Sequence, residues 1–193
     1  MRDLPLTART RLAVGLGLAL LMAGTRLQPF AATLHITEDA SWSVFFLAGA
    51  LLGGTAPLLG LLAVAGLVDY AAIQFGGVSA FCVSPAYAAL APAYGALYLA
   101  GAVYARVHRV RWTTVLPYAG LAVVGAAACE LVSGGAFYFL SGRFADPTLA
   151  EFAARCVRYF GYPLEGMAVY LSAAAIAYAA FALVRRRAAA TAR

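Results

Sequence analysis

The stretch VLPYAGLAVVGAAACELVSGGAFYFL, which spans Val115–Leu140, contains a single charged side chain, that of Glu130. A helix needs about 20 predominantly apolar residues to cross the roughly 30 Å hydrocarbon core of a bilayer. This stretch exceeds that length, so it predicts a membrane-spanning helix.

The composition of the whole chain agrees with a membrane protein. Of its 193 residues, 64% are hydrophobic and 11% are charged, whereas an ordinary soluble domain is about 45–50% apolar and about 25% charged. So few charges cannot cover a globular surface. This excludes a soluble enzyme, a disordered tail and a nucleic-acid binder, despite the net charge of +6. We therefore expect an integral membrane protein.

Charge-poor segments recur along the chain and predict further transmembrane helices. We expect one all-α domain, residues 1–193, in which six spans form a bundle. The predicted spans are residues 12–27, 42–54, 57–75, 85–105, 115–140 and 163–184. The second span is short and crosses a bilayer only if its helix continues at both ends. Pro92, inside the fourth span, predicts a kink.

The basic residues predict the orientation, because all 14 of them are arginines and most lie in three clusters. With six spans the clusters share one side of the membrane. The positive-inside rule makes that side, and with it both termini, cytoplasmic. An alternative is that residues 2–23 form a cleaved secretory signal, which would leave five spans; we expect six. The clusters are Arg2, Arg9 and Arg11; Arg106, Arg109 and Arg111; and Arg185, Arg186, Arg187 and Arg193.

The connection between the third and fourth spans, QFGGVSAFCVSP at residues 74–85, is too apolar for a solvated loop. Gly76, Gly77 and Pro85 interrupt regular structure. Irregular backbone at membrane depth is tolerated where protein buries it or where it lines a cavity. We therefore expect this loop to fold over a pocket that opens to the outside. Cys82 lies near the tip of the loop, where a thiolate suits a transition metal or acts as a nucleophile.

Two simpler roles for Cys82 stay open. Free cysteine is often only a small buried hydrophobe. The outer compartment is also oxidising, so Cys82 could form a disulfide with Cys156 near the outer end of the sixth span. Cys129, in the middle of a span beside Glu130, is predicted to be a buried packing residue.

Three carboxylates, those of Asp69, Glu130 and Glu165, lie in the predicted spans at the level of the outer loop. Ionisable groups inside a membrane are costly and usually face a cavity or a partner. They either pair with Arg155 and Arg158 as buried salt bridges or line a polar pocket for a large neutral or zwitterionic ligand. The sequence has neither a P-loop nor paired metal-binding His or Cys residues, so we expect no ATPase and no all-protein metal site.

Six short spans, with both termini inside and a ligand-capping loop outside, resemble the substrate-binding (S) components of energy-coupling-factor (ECF) vitamin transporters. Within that group, Cys82 followed by Ser84, Pro85 and Tyr87 resembles the BtuM family of small cobalamin transporters of Gram-negative inner membranes. The resemblance covers the whole chain in topology. Its specific part is short and consists of residues 69–87 and Arg155.

The resemblance implies cobalamin binding and uptake across the bacterial inner membrane, with a binding site that faces the periplasm and with no enzymatic role. It implies that Cys82 is the axial ligand of the corrinoid cobalt. It also implies that Asp69, Tyr87 and Arg155 contact the corrin periphery or its amides. Small residues in the first span would dock on the transmembrane subunit of an ATPase-driven coupling module, although solitary members of the family work alone. These small residues are Ala19 and Ala23.

The chemistry of a corrinoid agrees with a single loop cysteine. A corrin ring already supplies four equatorial nitrogens to cobalt, so one soft axial donor is enough. Thiolate ligation predicts displacement of the lower base and loss of the upper ligand, including cyanide. Two other functions stay open. One is a carrier for another vitamin in which Cys82 merely packs; the other is a membrane thiol enzyme or redox protein that uses Cys82.

Overall fold

Helices account for most of the residues that the computed structural model describes, which are 7–27, 39–80, 83–109 and 111–191. No strand occurs within these ranges. Short 3₁₀ turns at Pro85–Ala89 and Trp112–Thr114 precede two of the helices. The α-helices are α1 (Ala8–Arg26), α2 (Ser41–Leu51), α3 (Ala56–Phe75), α4 (Leu90–Val107), α5 (Val115–Leu140), α6 (Leu149–Tyr159) and α7 (Gly161–Thr191).

Local sequence signals explain several helix boundaries. The side chains of Thr7 and Thr148 cap α1 and α6 by accepting backbone N–H groups three residues further on, each at 3.2 Å. Pro57 stands in the first turn of α3, where a missing N–H costs nothing. Between α2 and α3 the chain reverses at Gly53 and Gly54, whose φ angles are 60° and 77°. Residues with a Cβ rarely adopt that conformation.

The short helix α2 forms the centre of the bundle, and most of its side chains are buried. It runs parallel to α4, because Ser41 and Tyr94, near the starts of the two helices, both accept from Arg26, and the Tyr98 hydroxyl further along α4 donates to the Gly54 carbonyl beyond the end of α2. Glycines at the crossing allow the backbones to touch. A Cβ on Gly101 would collide with the Phe46 carbonyl, and one on Gly49 would collide with the Tyr98 carbonyl.

The periphery of the bundle is apolar, as a lipid-facing surface must be. Large hydrophobic side chains on the outer helices expose more than half of their surface, and α3 buries only Leu61, Ala65 and Ala72. The core therefore lies between α2, α4 and α5, and the outer helices turn apolar faces outward. Examples of the exposed side chains are Leu59, Leu67, Phe75 and Ile176.

Four helical segments of the described chain are long and apolar enough to span a membrane: Ala56–Phe75, Pro85–Val107, Trp112–Leu140 and Leu149–Val184. They contain the predicted spans 57–75, 85–105, 115–140 and 163–184. The described residues are thus all-helical, as predicted, and the four long apolar helices fit a membrane-embedded protein. The sequence prediction missed α6, a separate capped helix that stands before the last span.

The two remaining predicted spans differ from expectation. The second, residues 42–54, could cross a bilayer only if its helix continued at both ends, but α2 ends at Leu51 and has 11 residues. At about 1.5 Å per residue such a helix covers roughly half of the hydrocarbon core. The first, residues 12–27, corresponds to α1, which carries Arg9, Arg11 and Arg26 and does not belong to the four long apolar segments.

The predicted kink at Pro92 also takes a different form. The fourth span begins as a 3₁₀ turn, Pro85–Ala89, and becomes α-helical at Leu90. Pro92 therefore stands in the first turn of α4, where its missing N–H removes no interior hydrogen bond. The irregularity lies at the junction before Leu90 and not inside the α-helix.

Contacts between helix ends show which segments share a side of the bundle. Arg11 donates to the backbone carbonyl of Leu52, just after α2. His108, just after α4, lies 2.7 Å from the hydroxyl of Tyr104 and 2.9 Å from that of Tyr178 in α7. Because α2 and α4 are parallel, the start of α1, the end of α4 and the second half of α7 lie together. We call this side the arginine-rich end.

Candidate functional site

A buried arginine organises the opposite end of the bundle. Arg26, the last residue of α1, donates through Nε and Nη2 to the two carboxylate oxygens of Asp69 at 2.8 and 2.6 Å. Its Nη1 donates to Ser41 Oγ at 2.6 Å and to the Tyr94 hydroxyl at 3.1 Å. The hydroxyl of Tyr87 donates to Asp69 Oδ2 at 2.6 Å. This forked geometry uses the planar guanidinium in a way that a lysine cannot reproduce.

A second carboxylate completes the group. Asp39 Oδ2 lies 3.7 Å from Arg26 Nη1, and its Oδ1 accepts the backbone N–H of Ser41 at 2.6 Å. We call the six residues Arg26, Asp39, Ser41, Asp69, Tyr87 and Tyr94 the Arg26 network. The Arg26 side chain is 9% exposed, whereas those of Asp39 and Asp69 are 34% and 24% exposed.

The network joins elements that are distant in sequence. Arg26 comes from the C-terminus of α1, where the helix dipole favours a cation. Ser41 begins α2, Asp69 lies in the last part of α3, and Tyr87 belongs to the 3₁₀ turn before α4. Asp69 and Tyr87 stand on either side of the connection 76–84, so their hydrogen bond ties together the two ends of that loop.

The structure brings together two of the residues predicted for a site, Asp69 and Tyr87. Cys82, the predicted metal ligand between them, lies outside the described residues. Asp69 already accepts hydrogen bonds from Arg26 and Tyr87 on its two oxygens. In this conformation its carboxylate therefore serves the protein's own network. The salt-bridge interpretation of the sequence expected a cationic partner for Asp69 but named Arg155 and Arg158, whereas the partner is Arg26.

Arg155 belongs to a different group of side chains. Its Cζ lies 5.0 Å from the ring centroid of Phe144, 5.8 Å from that of Tyr138 and 5.7 Å from that of Tyr159. These distances are typical of cation–π contacts. They place the guanidinium against aromatic rings of the α5–α6 region and not in the Arg26 network.

Two cavities adjoin this end of the bundle. One, of about 320 Å³, is lined by Trp42, Glu130, Tyr159, Tyr162 and Pro163. The other, of about 190 Å³, lies between α3 and the start of α4 and reaches Tyr87 and Tyr94. Small-molecule sites measure about 300–1,000 Å³, so the larger cavity reaches the lower limit of that range.

The remaining predicted positions are placed as follows. Ala19 and Ala23 are half-buried, and Ala19 packs against the core of the bundle. Docking on a coupling subunit stays a prediction. Cys129 is buried, as expected, and both Cys129 and Cys156 carry free thiols. Among the described residues, no group of three or more His, Cys, Asp and Glu side chains could hold a metal ion.

Sequence reasoning missed Arg26 as the centre of the site. A signal was present, because Arg26 is a cation at the outer end of a predicted span and Asp69 is an intramembrane carboxylate that needs a partner. Which cation pairs with which carboxylate depends on helix packing, and one sequence does not supply that packing.

The chain matches no family model, and none of the curated proteins with which it was compared matches it. The fold and the site therefore define a class of protein. In its described residues the chain is an all-helical protein with four helical segments long and apolar enough to span a membrane, and a buried polar network lies beside two cavities at one end.

Proposed function

We propose that the chain binds a corrinoid at the Arg26 end of the bundle and carries it across the membrane, with Cys82 as the axial ligand of cobalt. The observation that supports this proposal most directly is the hydrogen bond of 2.6 Å between Tyr87 and Asp69. It anchors both sides of the loop that contains Cys82. A loop held at its base on both sides suits the delivery of one thiolate to a large ligand.

The roles of the two anchoring residues follow from their contacts. Asp69 and Tyr87 position the loop rather than approach the ligand, because the Asp69 oxygens are already engaged. The corrin side amides then meet backbone groups of the loop and polar side chains around it. A corrinoid is larger than either cavity, so binding requires the loop and the end of α3 to move outward. The shallow packing of α3 is consistent with such a movement.

The proposal includes a topology. α1 and α2 complete a six-helix bundle of the S-component type with the four long apolar segments. The arginine-rich end then faces the cytoplasm with both termini, and the Arg26 end faces the periplasm of a bacterial inner membrane. Transport proceeds either with an ECF coupling module, docked through Ala19 and Ala23, or without one. The grouping of Arg11 and His108 at one end supports this orientation.

The test is the visible spectrum of the corrinoid. Purified protein is mixed with cyanocobalamin, desalted and scanned. We expect a retained corrinoid with shifted absorption bands, because a thiolate replaces an axial ligand. Cys156→Ala is the matched control, since Cys156 is also a free, half-buried thiol, and it should behave like the wild type.

The same measurement on the Cys82→Ala variant distinguishes the remaining outcomes. If Cys82→Ala retains the corrinoid without a spectral shift, Cys82 is the cobalt ligand and the rest of the site binds the ligand periphery. If Cys82→Ala shifts the bands like the wild type, the assignment of the ligand is wrong. If the wild-type protein neither retains nor alters cyanocobalamin, the corrinoid proposal is wrong.

A further inference from the structure

The larger cavity has an unusual lining for a membrane protein. Trp42 from the start of α2, Tyr159 from the end of α6 and Tyr162 from the start of α7 surround it together with Pro163. The one carboxylate in this lining is that of Glu130, from the middle of α5. The cavity thus combines three aromatic rings with one acidic group.

The Glu130 carboxylate is half-buried and lies alongside its own helix. A Cβ on Gly134, one turn further along α5, would lie 2.8 Å from Glu130 Oε1. The absence of a side chain at Gly134 therefore provides the space in which the carboxylate sits. Substitution of this glycine would displace the carboxylate.

Glu130 takes part in none of the hydrogen bonds or ion pairs found within the described ranges. The Cζ of Arg155 lies 5.7 Å from the Tyr159 ring centroid, and Arg158 precedes Tyr159 in sequence. The ion pairs of the described residues join neither arginine to Glu130. An intramembrane carboxylate without a partner is costly and marks a functional site. A cation from outside the chain would lower that cost.

We propose that this cavity binds a small organic cation that carries a quaternary or protonated ammonium group. Aromatic faces attract cations through their quadrupole, and desolvation strengthens the attraction. The carboxylate supplies the opposite charge. The alkyl groups around such a nitrogen match the apolar walls formed by the rings and Pro163. With a volume of about 320 Å³, the cavity suits a ligand the size of choline.

The site is independent of the corrinoid proposal. Its described lining comes from α2, α5, α6 and α7, and none of the described loop residues, 76–80 and 83–84, belongs to it. A Cys82→Ala variant should therefore bind the cation like the wild type. Failure of the corrinoid experiment would leave this inference untouched, and the reverse also holds.

The experiment uses Trp42 as the reporter. Trp112, the other tryptophan, is 85% exposed and lies at the arginine-rich end, so Trp112→Phe leaves a single tryptophan within the cavity. This protein, in nanodiscs of phosphatidylglycerol, is titrated with choline and with 3,3-dimethylbutan-1-ol, its uncharged isostere. We expect a saturable change in fluorescence with choline and none with the alcohol. Equal responses to both, or no response to choline, would overturn the proposal.

Variants identify the residues that bind the cation. Glu130→Gln keeps the shape of the side chain and removes its charge, and should weaken choline binding by about tenfold or more. Glu165→Gln is the matched control, because Glu165 is exposed and outside the lining; its affinity should stay within about twofold of the parent, as for a screened surface charge. If both variants bind choline equally well, Glu130 is not the acidic group of the site.

Two further arms complete the test. Tyr162 is 53% exposed, so Tyr162→Leu should fold normally and weaken choline binding, which keeps the proposal testable if Glu130→Gln does not fold. Phosphatidylcholine added to the nanodiscs distinguishes the source of the cation. A weaker apparent affinity for free choline would show that the lipid headgroup occupies the cavity. An unchanged affinity would show that the site takes a soluble cation.

Discussion

Arg26 links three helices at this end of the bundle. Its guanidinium donates to Asp69 of α3, to Ser41 of α2 and to Tyr94 of α4. A group that is 9% exposed cannot exchange these partners for water. Removal of any one partner therefore leaves an unsatisfied buried donor, which costs more than an ordinary surface hydrogen bond.

Substitution of Asp69 tests this dependence. Asp69→Asn removes the charge that faces Arg26 while keeping the side-chain volume. We expect the free energy of unfolding to fall by about 2–4 kcal/mol, because the buried guanidinium loses its counter-charge. Chemical unfolding in detergent measures the change. Asp146→Asn is the control, since Asp146 is exposed between α5 and α6; an equal loss in both variants would contradict the role of the network.

Tyr87 allows the loop anchor to be tested separately. Tyr87→Phe removes only the hydroxyl that donates to Asp69, so we expect a loss of about 1–2 kcal/mol. The loop should also open more often, and a maleimide should modify Cys82 faster in a Cys156→Ala background. Tyr70→Phe, at a 61% exposed position of α3, is the control and should leave the rate unchanged. Unchanged labelling in Tyr87→Phe would show that the hydrogen bond does not hold the loop.

At the scale of elements, α2 and α4 depend on glycine. Membrane helices lack a hydrophobic driving force between them, so close van der Waals packing at small residues holds them together. Gly49 and Gly101 bring the two backbones into direct contact, and Gly125 brings α5 close to Ala100 of α4. This three-helix core is the part of the molecule against which the outer helices pack.

Two alanine substitutions in α4 separate packing from helix propensity. A Cβ at position 101 meets the Phe46 carbonyl and lies 2.9 Å from the Ala50 nitrogen, whereas one at position 95 has nothing within 4 Å. Gly101→Ala should therefore lower the thermal stability in detergent severely. Gly95→Ala should be neutral or stabilising by about 0.5–1 kcal/mol, because alanine favours helix. Comparable stability of the two variants would contradict the close approach of α2 and α4.

The sequence predicts best those helices that are marked by composition alone, without reference to packing. The span 115–140 coincides with α5, and the span 57–75 differs from α3 by one residue, because scarcity of charge marks both. α2 was expected to be longer. The residues on both sides of Gly53 and Gly54 are mostly apolar, so the composition does not show where the helix ends. α6 was missed since its pattern is short and amphipathic. Its only clear signal is the Thr148 cap followed by Glu151.

At the scale of the whole molecule, polar groups divide between two ends. The arginine-rich end holds contacts such as that between Arg11 and Leu52, whereas carboxylates meet Arg26 at the other end. The sequence predicted this division from charge placement alone. It did not predict which groups pair, because Arg26 and Asp69 lie 43 positions apart and meet only through the packing of α1 on α3.

The division predicts how the protein lies in the membrane. In a background without native cysteines, single cysteines at Thr7, Thr113 and Asp146 probe exposed positions at both ends. An impermeant maleimide should label Asp146→Cys in intact spheroplasts, because the carboxylate-bearing end faces outward. It should label Thr7→Cys and Thr113→Cys only after lysis, because arginine-rich segments stay inside. The reverse pattern would contradict the proposed orientation, and labelling of Thr113→Cys and Asp146→Cys from the same side would contradict a crossing by α5.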